Sequence, residues 1–233
     1  SAGTAASTLN VRGYGSTVFS GSIGNSYAAG GTSTALDIRI ANNASVTLLG
    51  SSTFTGGVTL YHGSLILGNG TVSASASALG AGSSTLTLGG GEVRSLYPMT
   101  GSAALLNPVS LPSGDPTLFT GTSSLQFAGT LSATASRVLQ NDLIGGGSLV
   151  YSGSMGLGGN TITVQGAGYT ELTGSIAASA APLTMQGLGT LVLSGSNATS
   201  AVFTINRGLA VLSGSNTGTL RFVSGVAVLA GGT

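Results

Sequence analysis

Side chains able to do acid–base, nucleophilic or metal chemistry are scarce in this 233-residue chain. It holds one histidine, five carboxylates and six arginines, with no lysine and no cysteine. His62 is therefore the only imidazole base. Asp37, Glu92, Asp115, Asp142 and Glu171 would form a glycan-cleaving acid–base pair only if two of them converged in one groove. Successive sequence spacings from Glu92 onward are 23, 27 and 29, which a repeating coil would turn into a vertical ladder. Their local contexts point elsewhere. Asp115 sits in the turn-like Pro112-Ser113-Gly114-Asp115-Pro116 and Asp142 follows Asn141 in another apparent turn, whereas Glu92 and Glu171 lie in strand-like segments. Asp37-Ile38-Arg39 and Glu92-Val93-Arg94 put opposite charges at i and i+2, on one outward strand face. Such surface ion pairs are worth under ~1 kcal/mol.

The remaining motifs fare no better. Gly145-Gly146-Gly147-Ser148 has neither the lysine nor the helix of a phosphate loop. The Asp-rich turns of calcium-binding solenoids are missing. Thr-x-Thr pairs (Thr32/Thr34, Thr85/Thr87, Thr161/Thr163) follow one another at spacings of 53 and 76. These do not repeat on one coil face, so ordinary outward threonines are expected. No catalytic, cofactor-binding or metal-ligating residue is assigned, and no cofactor is expected.

What must position these side chains is a chain with 5 % charged residues, 41 % hydrophobic residues and 41 glycines. A net charge of +1 gives no electrostatic grip on nucleic acid or an anionic membrane. The absence of cysteine removes disulfides, thiolate metal sites and thiol chemistry. Mean hydropathy is positive (+0.46), yet Gly, Ser or Thr interrupts every apolar run before the ~18 residues a spanning helix needs, so no membrane insertion is expected. No signal peptide is recognised at residue 1; the chain reads as a mature product or a fragment of something longer. Disordered chains combine low hydrophobicity with high charge, the reverse of this composition, so disorder is expected only at residues 1–6 and near 27–32.

Nothing has a helical period. A short apolar–x–apolar unit closed by glycine recurs: Leu86-Thr87-Leu88-Gly89, Leu125-Gln126-Phe127-Ala128-Gly129, Leu149-Val150-Tyr151-Ser152-Gly153, Ile162-Thr163-Val164-Gln165-Gly166, Leu191-Val192-Leu193-Ser194-Gly195. Period-2 alternation ended by Gly is the strand signature. Leu193-Ser194-Gly195-Ser196-Asn197 returns nineteen residues on as Leu212-Ser213-Gly214-Ser215-Asn216, and Leu48 and Leu67 have the same separation. Val58 to Leu67 aligns with Phe203 to Leu212 at an offset of 145, setting His62 opposite Arg207 on exposed corners before Gly63 and Gly208. Spacings of 24 (Phe127 to Tyr151) and 17 (Leu212 to Leu229) coexist with steps of 13 (Tyr151 to Val164) and 8 (Met185 to Leu193). Coils of about 17–24 residues, each with two or three strands, accommodate all of them. The expectation is one all-β domain over 1–233, a right-handed parallel β-helix of about eleven coils roughly 50 Å long. Its corners should hold Gly or Asn where φ turns positive, and its register is least defined over 1–40. A jelly roll or sandwich would show longer strands and no nineteen-residue echo.

Ser52-Thr53-Phe54-Thr55-Gly56-Gly57-Val58-Thr59-Leu60, followed by Gly63-Ser64-Leu65-Ile66-Leu67-Gly68, resembles the autotransporter-associated β-strand repeat. Ala78-Leu79-Gly80-Ala81-Gly82 with Leu86-Thr87-Leu88-Gly89-Gly90-Gly91 resembles its linker, and Gly187-Leu188-Gly189-Thr190-Leu191-Val192-Leu193-Ser194-Gly195 is similar. The resemblance covers residues 44–94 and 143–233. It implies a right-handed parallel β-helix in secreted or surface passenger regions of Gram-negative-type bacteria, with no family active site; the translocator β-barrel is not among the 233 residues. The expected function is a non-catalytic extracellular rod, a passenger stem, stalk or filament/adhesin segment whose open coil ends meet adjacent chain or another subunit. The alternatives are a carbohydrate-active β-helix enzyme, which requires converging acids, and a glycan-binding adhesin with an exposed aromatic strip.

Overall fold

The computed structural model describes residues 7–27, 33–41, 43–68, 77–177, 182–197, 202–215 and 218–230. The period-2 segments form short strands, most of three to five residues, and each pairs in parallel with the equivalent strand one coil away. The result is a right-handed parallel β-helix, the hand that parallel crossovers adopt.

Three faces make the rod. Face 1 has seven strands, from Ser7–Val11 to Met155–Gly156. Face 2 has ten: Ser16–Phe19, Ser45–Leu48, Ser64–Leu67, Gly91–Ser95, Thr117–Gly121, Arg137–Leu143, Ile162–Gln165, Leu183–Met185, Val202–Ile205 and Thr219–Phe222. These define coils one to ten. Face 3 has six strands, from Leu125–Phe127 in coil five to Val226–Leu229 in coil ten. Before coil five its edge is irregular, with isolated bridges Met99↔Leu125 and Leu105↔Phe127.

The nineteen-residue echoes are true coil repeats: Leu48 pairs with Leu67 and Leu193 with Leu212. The short steps from Tyr151 to Val164 and from Met185 to Leu193 run from face to face, as expected. Coil length varies more widely than expected. The shortest coils carry Ile205 to its partner Phe222, and the longest carries Ser16 to its partner Ser45. That longest coil contains an insertion, the antiparallel pair Ser26–Tyr27 and Ser33–Thr34. Of the segments 1–6 and 27–32, where disorder was expected, 1–6 and 28–32 lie outside the described residues, and Tyr27 belongs to the strand Ser26–Tyr27.

One further expectation fails for a physical reason. The offset of 145 equates Val58–Leu60 on face 1 with Phe203–Ile205, within a face 2 strand. Both are a strand, a turn glycine and a strand, and alternation alone cannot say which edge of the rod such a corner occupies. His62 and Arg207 therefore sit on different edges. Gly63 (φ 84°) and Gly208 (φ 76°) do take the left-handed conformation expected of them.

Inward positions stack in columns. On face 1, Ile38, Val58, Leu86, Val109, Leu131 and Met155 succeed one another in register, and Ile176 continues the line through a bridge. All are essentially buried, and each such side chain contributes about 1.5–3 kcal/mol relative to exposure. In coils five and six, Phe127 stacks on Tyr151 (centroids 5.2 Å apart, planes at 18°) and meets Phe119 edge-on at 6.1 Å.

Of the recurrent closing glycines, Gly166 has the expected positive φ (100°), but those that close face 3 have a different cause. Gly129, Gly153, Gly174, Gly195 and Gly214 form a ladder at the corner after face 3. A Cβ on Gly153, Gly174, Gly195 or Gly214 would lie 1.9–2.3 Å from the carbonyl oxygen of the preceding member. Close approach of one coil corner to the next therefore requires glycine there. Asparagine side chains also tie coils together. Buried Asn107 donates to the Ala81 and Ser84 carbonyls (2.9 Å each) and accepts from the Ser77 hydroxyl at 3.2 Å.

Candidate functional site

The rod brings several polar groups together that are far apart in sequence. The first cluster is at the corner between faces 1 and 2. His62 Nδ1 lies 3.4 Å from Asp115 Oδ2, with both side chains more than half exposed. They belong to coils three and five, and the intervening corner of coil four is Gly89-Gly90-Gly91, which leaves room for Asp115 to reach across. A Cβ on Gly90 would already lie 3.1 Å from the Asp115 Cβ.

Behind this pair is Arg137, an inward residue only 2 % exposed. Its guanidinium donates to the Gly89 carbonyl (3.2 Å) and the Thr117 hydroxyl (3.1 Å), while Nε has no partner. Burial lowers the Arg137 pKa, opposed by the nearby Asp115 charge; an arginine remains charged regardless. The sequence had not marked Arg137 at all. Its strand, Arg137–Leu143, alternates strictly in burial, which also overturns the turn expected at Asn141-Asp142. Asn141 points inward and donates to the Tyr169 carbonyl (2.8 Å) and the Thr170 hydroxyl (2.9 Å). Polar residues at inward positions are invisible to a reading in which only apolarity marks the inside.

A second cluster is on the outer surface of face 2. Glu92 is held by the hydroxyls of Ser64 (2.7 Å) and Thr120, one on each neighbouring coil. Burial alone raises its carboxyl pKa, but the two hydroxyl hydrogen bonds and the Arg94 charge outweigh this and hold it below the ordinary carboxylate value. The expected ion pairs do not close. Asp37 accepts from the Gly57 amide at 2.8 Å, and among the described residues no arginine nitrogen lies within 4 Å of a carboxylate. Acids here bind hydroxyls and amides of adjacent coils, fastening coil to coil.

Asp142, on the same face, accepts from the Gln140 amide and the Ala167 N–H. Glu171 is on face 3, where Ser194 donates to it at 3.2 Å; burial, then the Glu171 charge and hydrogen bond, raise the neighbouring Tyr169 hydroxyl. The five acids thus divide among face 1 (Asp37), face 2 (Glu92, Asp142), face 3 (Glu171) and a corner (Asp115). Among the described residues the one convergence of general acid–base type is His62 with Asp115. Among the described residues no serine or threonine hydroxyl hydrogen-bonds to this imidazole, which a nucleophile–base pair would require. Among the described residues no group of three or more His, Asp or Glu side chains is placed to hold a metal ion, and no helix is long and apolar enough to cross a membrane.

The third feature is coil ten. Phe222 and Leu229 occupy inward columns, in register with Ile205 and Leu212 of coil nine. Ile205 and Leu212 are 0 % and 4 % exposed, whereas Phe222 and Leu229 are 51 % and 71 % exposed. Among the described residues, coil ten thus presents an apolar cross-section whose strands are paired on one side only. Comparison with protein-family models, with curated proteins and with solved structures found no match.

Proposed function

We propose that this chain is a non-catalytic structural rod, a stem segment of a secreted or cell-surface protein, extended axially by parallel strand addition. The observation that carries the reading is the coil-on-coil parallel pairing that continues without interruption on face 2 through all ten described coils. Apolar columns that begin at Leu139 in coil six and Phe127 in coil five reach Phe222 and Leu229 in coil ten, which are exposed, and among the described residues the strands Thr219–Phe222 and Val226–Leu229 are paired on one side only. An edge of this kind templates further pairing, and burying each of the two side chains yields about 1.5–3 kcal/mol. In coil one, Ser7–Val11 on face 1 and Ser16–Phe19 on face 2 are also paired on one side only among the described residues, with Leu9, Val11 and Phe19 partly exposed, and face 2 is the face that both coil one and coil ten offer for parallel pairing. Tail-to-head stacking of such ends is heterologous and leads to open filaments. The outward Ser and Thr surface and the near-absence of charge support the same role, since little repulsion opposes contact between copies. The secreted passenger setting rests on the repeat resemblance at residues 44–94 and 143–233.

Light-scattering mass of the 233-residue chain, followed as concentration is raised, tests the reading. The mass should grow for the wild type and remain that of one chain for Phe222→Asp/Leu229→Asp. Growth that is equal in the double variant would remove coil ten as the joining surface.

A further inference from the structure

On coils six to nine, face 2 carries an outward column of side-chain amides: Gln140, Gln165, Gln186 and Asn206. Gln140 is in register with Gln165. Backbone bonds from Gln186 N–H to the Val164 carbonyl and from Asn206 N–H to the Met185 carbonyl carry the same register downward. The upper amides are linked, Gln165 Nε2 donating to Gln140 Oε1 at 2.9 Å and Gln140 Nε2 to Asp142. Below Gln165 the linkage stops, and the side chains of Gln186 and Asn206 have no protein hydrogen-bond partner among the described residues. With Gln165, Arg207, Val223 and Ser224 they line a groove of about 600 Å³ open to solvent. A second outward column, Thr163, Thr184 and Thr204, runs beside it and ends at Arg221.

Charge singles out this region. Glu171 is the last carboxylate in the sequence, so Arg207 and Arg221 are the only charged side chains after it. Glu171 lies on face 3, and the nearest acid on face 2, Asp142, is already engaged by Gln140 and the Ala167 N–H.

We propose that this groove binds a carboxylate-bearing saccharide chain lying along the rod axis. The Arg207 guanidinium takes the carboxylate through its forked donors. The free amides of Gln186 and Asn206, each able to donate and accept, match sugar hydroxyls, which do the same. Successive amides repeat about every 4.8 Å, comparable to the length of one sugar unit, so an extended chain meets each rung in turn. The site is independent of end-to-end stacking and would survive the failure of that reading.

Titration calorimetry on the full 233-residue chain with oligogalacturonate, alginate oligomers and hyaluronan oligomers, alongside carboxyl-reduced oligogalacturonate, provides the test. At least one uronate series should bind, and the neutral oligomer about tenfold more weakly or not at all. Arg207→Gln and the pair Gln186→Ala/Asn206→Ala should each weaken binding about tenfold, the scale of one charge-assisted contact. Arg12→Gln, at the far end of the rod, should leave binding unchanged. Circular dichroism establishes that each variant is folded, and Arg207→Lys, with partial retention, serves as a second variant. Absence of binding by all three uronates, equal binding of the neutral oligomer, or equal losses for Arg12→Gln and Arg207→Gln would overturn the proposal.

Discussion

Gly174 and Gly15 should respond to the same substitution with opposite signs. A Cβ on Gly174 would stand 1.9 Å from the Gly153 carbonyl oxygen and 2.6 Å from its carbon, against an ordinary carbon–oxygen contact of about 3.3 Å. Relief demands that the corner between adjacent coils open by over an ångström. The bonds that hold it, from the Thr173 and Gly174 amides to the Tyr151 carbonyl at 3.0 and 3.2 Å, would lengthen beyond useful range. Overpacking of this kind costs about 1–3 kcal/mol, and a strained or lost hydrogen bond adds about 1 kcal/mol, so Gly174→Ala should destabilise by about 3 kcal/mol. Gly15 has nothing within 4 Å of its Cβ position and no positive φ, so Gly15→Ala should stabilise by about 0.4–1 kcal/mol through the unfolded chain. Urea unfolding monitored by circular dichroism gives both shifts. At about 2–4 °C per kcal/mol for a chain of this size, thermal midpoints should separate by roughly 10 °C. If Gly174→Ala matches the wild type, the glycine ladder is not required by close approach and the reasoning is refuted.

Tyr151→Phe should stabilise the chain, by about 1–3 kcal/mol, because the hydroxyl is buried without a hydrogen-bond partner while its stack on Phe127 survives the change; a loss of stability in urea would reveal a bonded hydroxyl. Glu92→Gln should weaken the chain at neutral pH only. Because the folded carboxyl sits below its ordinary value, its contribution is present above the carboxylate range and lost as pH falls through the folded value. The wild-type advantage in urea melts at neutral pH should therefore vanish in acid, and an advantage that persists there would contradict the assignment.

The fold was legible because a coil stack repeats its inward pattern. Leu48/Leu67 and Leu193/Leu212 are partners in space for the same reason that they echo in sequence. The chemistry was less legible because it depends on polar residues breaking that pattern. Arg137 and Asn141 occupy inward positions of a strand in which Val138, Gln140 and Asp142 face outward, so an apolar-inside rule reads the segment as loop or turn. The approach of His62 to Asp115 depends on how two corners overlap across the glycines of coil four, which no local spacing encodes. The amide column did leave a trace. Thr163-Val164-Gln165, Thr184-Met185-Gln186 and Thr204-Ile205-Asn206 repeat one polar–apolar–amide pattern, which becomes a surface feature only once the coil register is known.

Small-angle X-ray scattering across a concentration series tests the central claim, axial growth through coil ten, most directly. The account predicts a constant cross-sectional radius while the length increases in steps of one ten-coil rod, roughly 50 Å at about 4.8 Å per coil. A cross-section that widens at constant length, or particles that remain one rod long at every concentration, would contradict it.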